Sequence, residues 1–217
     1  MTKTIELEKK VQTKGWEIAE ELRAMFREKG IYVVNFIGSP GAGKTGLLEA
    51  LAPLVKNRAA AIEGDLATRE DADRLEQRGL RAYQINTVGA CHLDAAMVRD
   101  ALKEFPLEGV EFLFIENVGN LVCPASFEIG EDIKVAVVSV TEGDDKPAKY
   151  PKAMKVSSAM VITKVDLLPH LRCDVERMTR DAQTSMPGMP VFQTSAQRGD
   201  GVKEFLAWLE ERARARK

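Results

Sequence analysis
The sequence predicts an α/β protein, a single domain built on a mainly parallel, doubly wound sheet with an amphipathic helix ahead of it. Three observations carry the prediction. From residue 30 onward, short β-prone runs alternate with helical stretches, the pattern that packs helices on both faces of a sheet. Several of those runs are continuously apolar, as strands covered on both faces must be. The first of them leads straight into a glycine-rich turn that opens a helix, Gly38-Ser39-Pro40-Gly41-Ala42-Gly43-Lys44-Thr45.

Residues 1–29 form an N-terminal amphipathic helical segment and residues 30–217 the domain. Over 4–29, Leu7, Val11, Ile18, Leu22 and Phe26 recur at helical intervals, giving an apolar stripe that packs on the domain or on a partner, with Gly15 as the place where the helix would break. Residues 31–37 read as a buried strand, and residues 46–51 begin the helix behind the glycine-rich turn. Strands at 59–62 and 82–85 flank a polar helical stretch at 69–77. Residues 112–115, 135–140 and 159–162 are the continuously apolar strands. Residues 191–194 make a last short strand, and a helix over 202–215 turns Phe205, Leu206 and Leu209 inward. In such a sheet, ligands gather at the carboxyl ends of the strands.

Composition narrows the function. The chain has 217 residues and a net charge of −2, so no basic surplus points to nucleic acid or to an anionic membrane. No apolar run approaches the roughly 20 residues that cross a bilayer. The polar start Met1-Thr2-Lys3-Thr4-Ile5-Glu6-Leu7 is not a signal peptide. Three cysteines without framework spacing fit a reducing cytoplasm, the expected location.

The glycine-rich turn matches G-x-x-x-x-G-K-S/T at every fixed position, so the fold is read as a P-loop NTPase fold. Small residues let consecutive N–H groups wrap a phosphate chain at the positive end of a helix. Gly38, Gly41, Ala42 and Gly43 are therefore nucleotide contacts, Lys44 neutralises the β- and γ-phosphates, and Thr45 is a Mg²⁺ ligand. Mg²⁺ needs further hard oxygens at neighbouring strand ends, where Asp65, Asp71 and Glu116 stand. Lys44, Asp65, Asp71 and Glu116 form the candidate catalytic set, and Thr45 with the three acids the magnesium set. The plain alternative is that one of Asp65 and Asp71 only caps a helix.

Thr163-Lys164-Val165-Asp166 ends the strand at 159–162 and resembles the N-K-x-D guanine motif. In that motif the aspartate accepts two hydrogen bonds from guanine and the lysine stem packs on the ring. Adenine lacks the donor pair and leaves the acid unpaired. Thr163 departs from the usual asparagine, which weakens the guanine preference without removing it. Thr194-Ser195-Ala196 resembles the short loop that supports the base, so Ser195 and Ala196 join Lys164 and Asp166 as nucleotide contacts.

Cys91-His92 and Cys123 each follow a strand and can converge on one surface. Three soft or borderline ligands suit Zn²⁺ or Ni²⁺, although a closed structural site takes about four. A second copy across a twofold axis would supply the rest. Cysteine is equally a small buried hydrophobe, and the residues alone leave both readings open. His170 and Cys173, near Pro169, read as structural.

Taken together these strings resemble the HypB family, GTPases that assist nickel insertion into NiFe hydrogenase. Residues 38–45, Glu63-Gly64-Asp65, Cys91-His92-Leu93-Asp94-Ala95, residues 116–124, Thr141-Glu142-Gly143-Asp144-Asp145-Lys146 and residues 163–166 occur in the family's order. Glu116-Asn117-Val118-Gly119-Asn120-Leu121-Val122-Cys123-Pro124 is the most distinctive of them. The resemblance implies a homodimer gated by nucleotide and metal, which binds GTP and GDP with Mg²⁺ and hydrolyses GTP slowly. It assigns Cys91, His92 and Cys123 to a Zn²⁺ or Ni²⁺ site between subunits, and Lys149 to a position that reaches the partner subunit's nucleotide. A HypA-type nickel chaperone and the hydrogenase large subunit are the implied partners. Cys123 lies seven residues beyond Glu116, so a switch ordered by the γ-phosphate would move a metal ligand directly. With no cysteine before Cys91 and two histidines in all, nickel storage is not expected. The competing readings are a urease-type nickel accessory GTPase, a P-loop small-molecule kinase with structural cysteines, and a metal sensor that binds nucleotide without useful turnover.

Overall fold
In the computed structural model of the chain, residues 2–65 and 70–216 are described, residues 2–12 and Asp65 by their backbone alone. The elements are α1 (Thr2–Glu28), β1 (Tyr32–Gly38), α2 (Lys44–Val55), β2 (Ala59–Asp65), α3 (Glu70–Gln77), β3 (Arg81–Asn86), α4 (Ala95–Ala101), β4 (Phe112–Glu116), β5 (Ile133–Ser139), α5 (Lys146–Lys149), α6 (Pro151–Val156), β6 (Ala159–Thr163), α7 (Val175–Ser185), β7 (Val191–Gln193) and α8 (Val202–Arg216). All seven expected strands form. They make one sheet in the order β3-β2-β4-β1-β5-β6-β7, and every pairing in it is parallel. The sheet is thus purely, not mainly, parallel.

The winding reverses at β1. The chain leaves it for β2 and β3 on one side, returns through β4, and then builds β5, β6 and β7 on the other. A crevice opens where the two halves diverge, at the carboxyl end of β1. That end runs into the glycine-rich turn.

Strand alternation sorts side chains between the two faces. Phe36, Phe114 and Val137 meet Leu47, Leu48 and Leu51 of α2, Leu75 of α3, and Phe205 and Leu209 of α8. On the opposite face Val33, Ile62 and Leu113 meet α1 and Val98 of α4, while Ile37, Val138 and Ile162 meet Met154 of α6 and Met178 of α7. α1 is therefore part of the core. Its Ile18, Ala19, Leu22 and Phe26 are buried, and truncating a fully buried phenylalanine such as Phe26 to alanine costs about 3–5 kcal/mol. The helix also runs unbroken through Gly15. A single glycine costs a helix only about 1 kcal/mol, less than packing of the following turns returns. Leu7 and Val11 of the predicted stripe lie outside the described side chains.

One polar line crosses this core. Asn35, fully buried on β1, donates to Glu131 Oε1 at 3.2 Å and accepts from Asn117 Nδ2 at 3.2 Å. Glu131 is ion-paired with the equally buried Lys134. Arg23 of α1 donates to the Glu131 carbonyl at 3.3 Å. Among the described residues no helix is long and apolar enough to cross a membrane.

Candidate nucleotide and metal sites
The turn after β1 is shaped by its glycines. Gly43 adopts φ 86°, and a Cβ there would sit 3.1 Å from Thr163 Oγ1, so only glycine fits without strain. α2 starts at the next residue, and its first N–H groups face the crevice as an anion site. Lys44 Nζ folds over the loop, donating to the Gly38 and Ser39 carbonyls at 3.3 and 3.4 Å.

Across the crevice stands Glu116, the last residue of β4. Its Oε1 accepts from Thr45 Oγ1 at 3.1 Å and lies 3.8 Å from Lys44 Nζ. Beside it is an acid that motif reasoning passed over. Glu63 of β2 is the direct cross-strand partner of Glu116, and both are buried. Burial, and then the Glu116 charge, push the Glu63 carboxyl up to about 10. Burial raises Glu116 as well, with Lys44 opposing. A hydrogen bond between the two carboxyls adds to the rise at Glu63 and opposes it at Glu116. Motif spacing carries no signal for Glu63; its place follows from the register of β2 against β4.

Among the described residues, Glu63 Oε1 and Glu116 Oε2 are buried without a hydrogen-bond donor. Orphaned carboxylate oxygens beside a threonine hydroxyl are the donor set a hard cation takes. Asp71, in the first turn of α3, lines the same cavity of about 510 Å³ with Glu63, Glu116, Lys44 and Thr45, and pairs with Arg74 at 2.9 Å. Asp65 closes β2, but its side chain lies outside the described residues. Lys146, unlike Lys149, touches the loop: its Nζ is 3.4 Å from Ser39 Oγ. Lys149 is exposed and paired with Asp145 at 2.6 Å, away from the crevice of its own chain.

The second compartment, about 270 Å³, is lined by Thr163, Lys164, Asp166, Thr194 and Ala196, and shares Gly43, Gly46, Arg74 and Lys164 with the first. Thr163 takes over a bracing role here. Its hydroxyl, 2.5 Å from the Ala42 carbonyl and 3.3 Å from that of Val138, ties β6 to the phosphate loop. Lys164, at φ 60°, donates to the Gly41 carbonyl at 2.7 Å. Asp166 is held below the ordinary carboxylate range, chiefly by a hydrogen bond with Ser195. The Val165 N–H donates to the Thr194 carbonyl at 3.2 Å, pinning the two loops together.

Cys91, His92 and Cys123 converge. Their ligand atoms all lie within 4.8 Å of one another, with Cys91 exposed and the other two half-buried. A hydrogen bond with Cys123 pushes the Cys91 thiol up, burial lowers His92, which disfavours its charged form, and Cys91 Sγ lies 3.5 Å from His92 Nδ1. The His92 ring stacks on Phe127 at 3.9 Å and 16°, a support that no motif announced. Three converging ligands with an open side can take a thiophilic or borderline divalent ion and give it up. His170 is exposed, and Cys173 packs against Met178 Sδ at 3.6 Å. Both stand outside the cluster.

Comparison with known proteins agrees with this geometry. A sequence model of the "CobW/HypB/UreG, nucleotide-binding domain" family matches residues 32–193. The Escherichia coli K12 protein "Hydrogenase maturation factor HypB" is 47% identical over 208 residues, 95% of this chain and 72% of that protein. The crystal structure of HypB from Helicobacter pylori in complex with nickel superposes with a TM-score of 0.88 at 40% identity, covering 94% of this chain and 96% of that one. HypB from Archaeoglobus fulgidus superposes at 0.85 with 36% identity, covering 93% and 99%. The chain belongs to the HypB family of hydrogenase maturation factors.

Proposed function
We propose that the protein is a GTP-hydrolysing nickel metallochaperone for hydrogenase maturation, in which nucleotide gates dimerisation and metal release. The observation that carries this reading is the convergence of Cys91, His92 and Cys123 within 4.8 Å, with Cys123 on the loop that leaves Glu116. One segment thus joins a phosphate-sensing carboxylate to a metal ligand, and it fits a nickel-bound structural relative.

Gly38, Gly41, Ala42 and Gly43 shape the loop whose N–H groups take the phosphates, and Lys44 offsets their charge. Thr45 and Glu116, with Asp65 or Asp71, are the hard oxygens that would hold Mg²⁺, which supplies charge neutralisation at the β- and γ-phosphates. Asp65, Asp71 and Glu116 are also the acids available to orient the attacking water. Asp166 reads the guanine edge, Lys164 covers the ring, and Ser195 and Ala196 support the base. Lys149, exposed on the surface, would exchange its Asp145 partner for a second copy's nucleotide. Ni²⁺ is the cargo, and Zn²⁺ competes for the same ligands. A HypA-type chaperone and the hydrogenase large subunit are the proposed donor and acceptor, in a cytoplasm that keeps both thiols reduced.

The test titrates Ni²⁺ and Zn²⁺ into wild type and Cys123→Ser, with GDP and with a non-hydrolysable GTP analogue, while oligomer mass is followed. Tight binding in wild type alone, near one ion per dimer and dependent on the nucleotide, is the expected result. Weak binding indifferent to mutation and nucleotide would leave the cluster without a metal role and the chain an ordinary P-loop NTPase.

A further inference from the structure
Cys123 sits on the nucleotide-sensing loop by sequence, but Cys91 and His92 do not. They arrive from the far side, after β3. The residue that follows them, Leu93, is fully buried and anchored at two points. Its N–H donates to Asn117 Oδ1 at 2.9 Å. Its side chain covers Gly64 so closely that a Cβ there would fall 2.7 Å from Leu93 Cγ. Asn117 directly follows Glu116, and Gly64 lies between Glu63 and Asp65. Both anchors therefore stand on the strand ends that carry the acids of the phosphate compartment.

Asn117 is built to hold that position. It is 1% exposed, its own N–H donates to the Phe36 carbonyl at 3.0 Å, and its Nδ2 donates to Asn35. Its Oδ1 accepts from Val118 N at 3.0 Å as well as from Leu93 N. A second strut runs from Asn120 Nδ2 to the Cys91 carbonyl at 3.3 Å.

We propose that Asn117, acting through the Leu93 N–H, is the positioning residue that couples the phosphate compartment to the Cys91–His92 half of the metal site. This rests on the metallochaperone reading and extends it: nucleotide resets both halves of the cluster, not Cys123 alone. A shift of Glu116 carries Asn117 with it, and the Leu93 N–H, buried with no solvent to replace its acceptor, must follow or lose its hydrogen bond. Spatial continuity alone does not establish coupling. The test therefore reads each half separately.

The experiment measures alkylation rates of Cys91 and Cys123 by mass spectrometry, without added metal, in the GDP and non-hydrolysable GTP states. In wild type both cysteines should change rate several-fold between states, the size typical of site-to-site coupling. In Asn117→Ala, Cys123 should keep its response while that of Cys91 falls to within about twofold of none. A Cys91 response as large in Asn117→Ala as in wild type overturns the proposal. If Cys123 responds in wild type and Cys91 does not, the metallochaperone reading stands and this proposal is lost. If neither responds, both fall. Should Asn117→Ala not fold, hydrogen exchange of the Leu93 amide in wild type decides. Its protection should differ between the two nucleotide states, and equal protection overturns the coupling.

Discussion

Glu63→Gln is the substitution that most directly tests how the phosphate compartment is held together. In the folded chain Glu63 keeps its proton up to about 10, against 4.5 for a free glutamate. Between those values the folded state holds a proton that the unfolded state has released. Stability therefore falls as pH rises across this window, by about 1.4 kcal/mol per pH unit from this group alone. From pH 6 to pH 8 the loss is about 3 kcal/mol. Glutamine keeps the shape and a donor toward Glu116 but has no proton to lose, so its contribution is flat. Urea unfolding of both proteins at pH 6, 7 and 8, with chelator and without nucleotide, gives the stability difference at each pH. That difference should move by about 3 kcal/mol in favour of Glu63→Gln across the range. A difference that stays constant with pH would mean that Glu63 is ionised across this range, and the raised Glu63 carboxyl would have to be abandoned.

Three further substitutions probe other parts of the site. Asp166→Asn replaces a two-fold acceptor with a donor–acceptor pair, so GDP affinity should fall at least about 100-fold while xanthosine diphosphate gains, read by competition with a fluorescent nucleotide. Thr163→Ala cuts the hydroxyl from the Ala42 and Val138 carbonyls, and should cost about 1–2 kcal/mol of stability by denaturant melt, with GTP and ATP weakened alike. Phe127→Ala leaves all three metal ligands in place but removes the ring on which His92 stacks. Nickel affinity measured by chelator competition should fall about 10-fold, the lower range for a supporting residue around a metal site, and unchanged affinity would mean the stack orients nothing.

The sheet was legible because its strands are buried on both faces and so leave uninterrupted apolar runs, and because one glycine-rich turn marks the carboxyl end of the first. What composition cannot encode is competition between local and tertiary terms. Gly15 argued for a broken helix, but the buried Ile18, Leu22 and Phe26 hold the following turns on the sheet. In the site, motif spacing reached Lys44, Thr45, Glu116 and the cysteine–histidine set because each stands at a fixed offset from a strand end. Glu63 escaped because its role comes from register: it matters only once β2 lies against β4 and sets it opposite Glu116. Phe127 and Asn117 escaped for the same reason, since each acts on a segment distant in sequence. Thr163 departs from the guanine motif in sequence, and the fold uses its hydroxyl as a brace for the phosphate loop.

The unpartnered carboxylate oxygens of the crevice favour a phosphate chain that brings a cation. Glu63, Glu116 and Asp71 face Lys44 in one cavity, and Arg74 at its edge is already engaged by Asp71 and Glu49. A phosphate chain entering alone would bring further acceptors to Glu63 Oε1 and Glu116 Oε2, which already lack a hydrogen-bond donor. A phosphate chain that brings a divalent cation meets the reverse: the orphaned oxygens of Glu63 and Glu116 gain a partner, and the proton between the two carboxyls is no longer needed. On the proposed function, phosphate and cation are therefore coupled ligands of this site, and their arrival would change the hydrogen bonding of Glu116. Because Asn117 and, further along, Cys123 continue from Glu116, the proposed coupling would deliver that change at the residues that hold the cysteine–histidine cluster together.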